Sequence, residues 1–318
     1  MTSLLTSLGC PTCKSTLQVG DNNLNCSACV SSFPLIRGIP RFVPSENYAE
    51  SFGLQWNRFA RTQLDSALGT RRSENRFVRE TQWHTAQLKG KLVLDAGCGS
   101  GRFSEIALKL GASLIAIDYS NAVDAAYENL NSENLLIVQG DLANLPIQSQ
   151  SLDFVFCIGV LQHTKNPDRI VAELLRCLKP GGELTLTFYE NSSWHVKFYS
   201  KYLLRPLTKR LPNKLLLNFI DRTSVLWFPV TKILFSLPRP FSQFFRFIIP
   251  IANYVEFLYT KKHDARAEAI LDTFDMLSPS FDRPIKKSEI LKWISLSKIE
   301  VRQLETESSL GTMKFKKL

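Results

Sequence analysis

The sequence predicts an α/β protein built on a doubly wound, mostly parallel sheet, with a small cysteine-bearing module in front and a helical insertion as a cap. Three observations lead there. Between residues 91 and 188, short apolar runs alternate with helical patterns, the rhythm of βαβ units. Ahead of them stand two C-x-x-C pairs. Behind them comes a basic, aromatic stretch interrupted by prolines.

Five segments are expected: a zinc ribbon over residues 1–44, a helical linker or lid over 45–90, a Rossmann-like core over 91–188, a helical basic and aromatic insertion over 189–285, and a tail over 286–318 that completes the core sheet. In the core, strands are predicted at Lys91–Asp95, Leu114–Asp118, Leu135–Gln139, Leu152–Ile158 and Gly182–Phe188. Helical patterns such as Phe103–Leu110 and Ile170–Cys177 lie between them, and parallel strands need crossovers of this kind. Lys298–Leu304 and Thr312–Lys317 supply two further strands from the tail.

The 318 residues suffice for one large domain plus a small one, and 44% hydrophobic with 21% charged residues marks a globular chain. Lys and Arg number 39 against 29 Asp and Glu, a net charge of +10. From Tyr189 to His263 there are 12 Lys/Arg and 3 acidic residues, 12 − 3 = +9, so nearly the whole surplus sits in the insertion. A localised surplus points to an anionic partner for that segment. No basic n-region followed by an apolar run is present at the N-terminus, and no stretch of about 18 uncharged apolar residues occurs. The expected location is the cytoplasm, peripheral on the inner face of a membrane; the sequence leaves the oligomeric state open.

Cys10, Cys13, Cys26 and Cys29 form C-x2-C-x12-C-x2-C. Two residues between paired cysteines let both thiolates reach one ion, and two such knuckles close a tetrahedral S4 site that suits structural zinc. A module this short lacks an adequate core, so the metal supplies folding free energy. The following run, Phe33-Pro34-Leu35-Ile36-Arg37-Gly38-Ile39-Pro40, resembles the end of the small zinc-ribbon proteins that activate tRNA and protein methyltransferases.

Val93-Leu94-Asp95-Ala96-Gly97-Cys98-Gly99-Ser100-Gly101 reads as strand, acid, then glycines at alternate positions opening a helix. Glycine belongs where the chain turns sharply or a ligand approaches the backbone. The order departs from the dinucleotide G-x-G-x-x-G. Asp118, 21 residues after Gly97, ends the next strand, where a carboxylate can accept two ribose hydroxyls, or alternatively cap a helix. Gly140-Asp141-Leu142 follows the third strand.

With Phe154–Thr164 and Leu178–Gly182, these residues resemble the class I S-adenosylmethionine-dependent methyltransferases of the type 11 kind, over roughly residues 75–190. The resemblance implies S-adenosylmethionine as cofactor, Gly97, Gly99 and Gly101 along its methionine and ribose, Asp118 at the ribose, Asp141 with Leu142 around the adenine, and Tyr119 among the cofactor-binding residues. Ile158 and Cys98 join the wall, Cys98 as a packing residue. Asp95 braces the loop or contacts the methionine amine indirectly. By analogy, Trp56 and Phe59 close over the cofactor, and Arg79 and Thr81 contact its methionine end.

Methyl transfer needs alignment, exclusion of water and, for some acceptors, a base. The candidates are His163, His195 and Tyr189, with His163 alternatively shaping the cofactor pocket. Lys197, Lys201, Arg205 and Lys209 would make a basic stripe if Trp194–Leu211 is helical, kinked at Pro206. Such a face with adjoining aromatics suits an anionic membrane, a solvated cap over the core, or RNA. Asp272–Asp282 resembles a run in type 11 enzymes fused to zinc ribbons in cell-surface polysaccharide and lipid biosynthesis; its carboxylates suit sugar hydroxyls or helix caps. The expected acceptor is a small molecule, sugar or lipid-linked intermediate. The first alternative is an RNA methyltransferase with the zinc ribbon as RNA-binding module, supported by the ribbon and the charge and weakened by the lack of an Asn-Pro-Pro-Tyr-type tetrad. A non-catalytic binding protein on the same fold is the remaining alternative, opposed by the intact glycine loop, Asp118 and Asp141.

Overall fold

The computed structural model describes residues 2–44, 47–191, 199–253, 264–306 and 311–318. A short helix α1 (Thr2–Leu5) precedes an antiparallel four-stranded sheet of β1 (Leu17–Val19), β2 (Asn23–Cys26), β3 (Ser32–Ile36) and β4 (Ile39–Pro40). Four helices follow: α2 (Glu50–Arg58), α3 (Asp65–Leu68), α4 (Arg72–Thr81) and α5 (Thr85–Leu88). The core then runs β5 (Leu92–Ala96), α6 (Arg102–Lys109), β6 (Ser113–Asp118), α7 (Ala122–Asn129), β7 (Leu135–Gln139), β8 (Leu152–Ile158), α8 (Pro167–Cys177) and β9 (Leu178–Phe188). Four helices interrupt it: α9 (Ser200–Thr208), α10 (Asn213–Phe235), α11 (Phe241–Ile248) and α12 (Ala265–Leu277). Helix α13 (Lys287–Ser297) and strands β10 (Val301–Leu304) and β11 (Gly311–Lys317) end it.

The seven-stranded sheet has the order β10-β11-β9-β8-β5-β6-β7. Every pair from β9 to β7 is parallel, and β11 runs antiparallel to both its neighbours. The sheet is therefore Rossmann-like, with the two tail strands in place. Its central runs are apolar on both faces because helices cover both. On one side α8 starts on Pro167, whose fixed φ suits a first helical turn, and buries Ile170, Val171, Leu174 and Leu175. On the other, Phe77 of α4 and Trp83 are fully buried against Phe154, Phe156 and the α6 side chains.

The cysteine module is docked on the core. Phe42 N donates to Gln139 O (2.8 Å) and Arg41 reaches Gln139 Oε1 (2.8 Å) and Asp124 (2.7 Å), so residues 41–42 cover edge strand β7. Lys14 Nζ bonds Asn144 Oδ1 (2.9 Å) and Glu173 Oε2 (3.0 Å).

The insertion departs from the expected basic stripe. Arg205 turns inward, only 6% exposed, donating to Met276 O and Pro279 O, while Lys201 pairs with Asp282. Trp194 and Lys197 lie outside the described residues. Backbone carbonyls at the α12 C-terminus outcompete solvent for the guanidinium because that helix end leaves acceptors unsatisfied.

Candidate functional site

The four cysteine Sγ atoms lie within 4.8 Å of one another, with Cys10–Cys29 at 3.5 Å and Cys13–Cys26 at 3.4 Å. A tetrahedral zinc site with Zn–S bonds of about 2.3 Å has S···S edges of about 3.8 Å. The cluster fits structural zinc, and four soft thiolates leave no open position for substrate.

Strand β5 has β6 on one side and β8 on the other, so the winding direction reverses there. In open α/β sheets such a switch point leaves a crevice beyond the strand ends. A cavity of ≈ 230 Å³ occupies it, lined by residues of the glycine loop, the ends of β6 and β8, helices α2, α4 and α12, and Tyr189.

The glycine loop keeps its backbone bare for two reasons. Gly97 has φ +93°, and a Cβ there would fall 2.4 Å from Val160 Cγ2. Gly99 has φ +54° and lies under the Trp56 indole, its ideal Cβ position 3.1 Å from Nε1. Gly97 and Cys98 both donate to Ile117 O, at 2.8 and 3.0 Å, which fastens the loop to β6. Gly101 does not line the cavity; it packs on Leu130 and opens α6.

Asp118 accepts from Gly99 N (2.9 Å), Ser120 N (2.8 Å) and Ser120 Oγ (2.7 Å), and it borders the cavity. Burial raises its proton affinity, against the pull of those bonds. Tyr119 stacks on Tyr48 (centroids 4.7 Å apart, 27° between planes). Asp141 accepts from Ala143 N at 2.8 Å, and Leu142 and Ile158 complete that wall.

Asp95 lies away from the cavity lining. It is 3% exposed, accepts from Ser104 Oγ (2.6 Å) and is pushed up to about 7 by burial, so it ties β5 to the first turn of α6. Cys98 lines the cavity, but burial drives its thiol well above the ordinary range, which rules against a thiolate nucleophile.

His163 and Tyr189 line the same cavity and meet edge to face at 5.6 Å, with Phe52 5.3 Å from the imidazole. His163 Nδ1 lies 3.1 Å from Phe281 O. A carbonyl only accepts, so Nδ1 carries the proton, and Nε2 is the lone-pair nitrogen of the neutral ring. His195 lies outside the described residues.

Trp56 lines the cavity as expected by analogy, whereas Phe59 packs with Leu216, Ile220 and Phe274 instead. Arg79 and Thr81 are not at the cavity. Arg79 is half exposed beside Glu80, and Thr81 bonds Phe77 O. The helix phase brings Arg76, three residues earlier, to the cavity. The only sequence signal for it was the i,i+4 spacing with Arg72. Gln55, Gln63, Arg102 and Tyr48 also line the cavity without having been singled out. Of the three carboxylates in Asp272–Asp282, Asp272 and Asp275 line it, and Asp282 is buried among Lys201 and Arg205.

The lining suits an adenosyl group with an amino-acid tail. Buried Arg76 Nε and Gln55 Oε1 have no hydrogen-bond partner among the described residues, and both residues line the cavity. A buried guanidinium needs an acceptor, and a ligand carboxylate is one. Arg102, held by Ser73 (2.9 Å) and Gln63 (2.8 Å), adds a second cation. Asp272 offers a carboxyl oxygen as acceptor for an amine.

Burial, with Glu268 and Asp275 nearby, pushes Asp272 up to about 8, against the attraction of Arg72 and Arg102. Between the unfolded value near 4 and about 8, the native state holds one more proton than the unfolded state, so stability falls as pH rises through that window and levels off above it. Asp272→Asn removes this dependence. Its melting temperature relative to wild type is expected to climb from about pH 5 to about pH 8, read by differential scanning fluorimetry. A difference that stays flat with pH would show that Asp272 is ionised throughout.

Residues 94–186 match the family described as a methyltransferase domain. The chain is similar to an uncharacterised chloroplastic methyltransferase of Arabidopsis thaliana, 35% identical over 46% of this chain and 46% of that protein. It is also similar to a ubiquinone biosynthesis O-methyltransferase of Coxiella burnetii, 34% identical over 35% of this chain and 48% of the relative. A malonyl-[acyl-carrier protein] O-methyltransferase of Yersinia pestis is 31% identical over 46% and 52%, respectively. The chain thus spans about half the length of the curated relatives it matches.

Proposed function

We propose that this chain, which carries a methyltransferase domain over residues 94–186, transfers a methyl group from S-adenosylmethionine to an oxygen of a small, amphiphilic acceptor, such as a sugar or a lipid-linked intermediate. The observation that carries the reading is a single cavity that brings together a bare glycine loop with Asp118 and an aromatic cluster of His163, Tyr189 and Phe52. Residue types with those separate tasks are what a displacement between two bound molecules requires. The O-methyltransferase names of two relatives support oxygen as the acceptor atom.

The cofactor, when bound, supplies a methyl group activated on a sulfonium. Gly97 and Gly99 would let it approach the main chain, Asp118 would accept ribose hydroxyls, Tyr119, Asp141 and Leu142 would hold the adenine, and Arg76 would take the carboxylate. Val160, Trp56 and Phe52 exclude water. His163, its tautomer fixed by Phe281 O, takes the proton of the acceptor hydroxyl on Nε2.

Label from tritiated S-adenosylmethionine, added with the purified protein to a native extract, is expected to enter lipid or glycan fractions. Label confined to RNA would replace this acceptor class. No label anywhere, with no calorimetric heat for the cofactor, would leave a binding protein on an enzyme's fold.

A further inference from the structure

Fifty residues of the insertion, 199 to 248, carry 15 of the 23 large hydrophobic side chains that are exposed among the described residues. Scattered exposed apolar groups need no explanation, but a concentration of this kind does.

Helix α10 shows how it arises. Leu216, Leu217, Ile220, Ser224, Thr231 and Phe235 are buried, and their spacing defines the side facing α2 and α12. At 100° per residue, Leu215, Phe219, Leu226, Val230 and Ile233 fall within about 60° of one another on the other side. All five are more than half exposed, at 62, 66, 72, 53 and 67%. They form a stripe about 27 Å long. Helix α10 is thus apolar on two faces, and the described residues cover one of them. Helix α11, packed on α10, exposes Phe241 and Phe244, and α9 exposes Leu203 and Leu207.

The charge around this surface is of one sign. From Tyr199 to Asn253 there are nine Lys/Arg and a single acid, Asp221, which is tied to Arg58 of α2. On the same wheel Arg222 lies about 20° from the edge of the α10 stripe, and Lys214 and Lys232 flank it on that side, about 100° from the edge. All three are exposed. Among the described residues, no helix is long and apolar enough to cross a membrane.

We infer that the α9–α11 face is a docking surface for an anionic phospholipid bilayer, with the α10 stripe set at the headgroup–acyl boundary and the lysines reaching to phosphate. Long basic side chains bordering an apolar stripe can place their stems along it and their charges among headgroups. Two copies of this chain meeting through the face would bring the exposed Lys214, Arg222 and Lys232 of each copy together, which opposes self-association. An RNA partner would leave the aliphatic Leu215, Leu226, Val230 and Ile233 without a favourable contact. The inference stands independently of the chemistry in the cavity.

The test is flotation of the full chain with vesicles of phosphatidylcholine, or of equimolar phosphatidylcholine and phosphatidylglycerol. The protein is expected to float with the anionic vesicles and to remain below with the neutral ones. Phe219→Ser/Leu226→Ser/Ile233→Ser and Lys214→Glu/Lys232→Glu are each expected to weaken this by at least about tenfold, a single basic group near such a surface being worth about fivefold. Circular dichroism and calorimetric cofactor binding, unchanged in both variants, establish that they fold. No flotation with either vesicle overturns the inference, as does flotation that the triple variant leaves intact. Without flotation, a sedimenting dimer that the triple variant dissolves assigns the face to a second copy, and RNA retention that the charge variant abolishes assigns it to nucleic acid. Either result overturns the bilayer.

Discussion

Asp118→Ala is expected to weaken S-adenosylmethionine binding about 100-fold or more in a calorimetric titration, since two hydrogen bonds to a charged acceptor contribute about 1.5–3 kcal/mol each. The loss has two parts. The carboxylate is the acceptor proposed for the ribose, and it also holds the glycine loop through Gly99 N and the next helix through Ser120. Asp118→Asn separates them. The amide retains one acceptor oxygen, so it can keep part of the loop's support while losing charge and half of the acceptors. Its affinity is expected to fall between alanine and wild type. The apo protein should change less than the complex, because burial already disfavours the Asp118 charge and its removal relieves that cost. Wild-type affinity in the alanine variant would remove Asp118 from the cofactor site.

Cys13→Ser is expected to abolish zinc, measured as a fall from one metal per chain to none by plasma mass spectrometry, and to unfold the N-terminal module. Cys13 is exposed, so the substitution disturbs no packing by itself. Metal binding contributes about 10–16 kcal/mol in isolated zinc modules, far more than the small apolar content of β1–β4 can replace. The consequence should extend beyond the module. Lys14 is held to Glu173 and Asn144 of the core, and residues 41–42 cover β7. A freed module exposes that edge, so faster proteolysis near residues 8–44 and aggregation through β7 are expected. A variant that binds no zinc yet melts and resists protease like wild type would show the metal to be dispensable.

Local chemistry accounts for what was legible in the sequence. Five βαβ-type runs, the glycine spacing and acids placed just past strand ends are constraints within a few residues, and the structure puts Gly97, Gly99, Asp118 and Asp141 around one cavity. The cysteine spacing likewise converged on one cluster. The less legible parts depended on the phase of a helix or the pairing of distant segments. Arg79 and Arg76 lie less than one turn apart, and only the packing of Phe77 against Phe156 and Trp83 decides which one points inward. Asp95 and Asp118 are both acids after apolar runs, but Ser104 occupies the first while the second meets the cavity.

The sequence by itself determined the sheet, the glycine loop and the metal cluster, because main-chain conformation, thiolate spacing and apolar periodicity act over short range. The tertiary structure alone decided that Asp272 and Asp275, roughly 150 residues after Asp118, complete the same cavity, and that one face of α10 is covered while the opposite one is not. Burial depends on which segment packs where, and residue type cannot specify that: Leu216 and Leu215 are neighbours of identical chemistry, at 4% and 62% exposure.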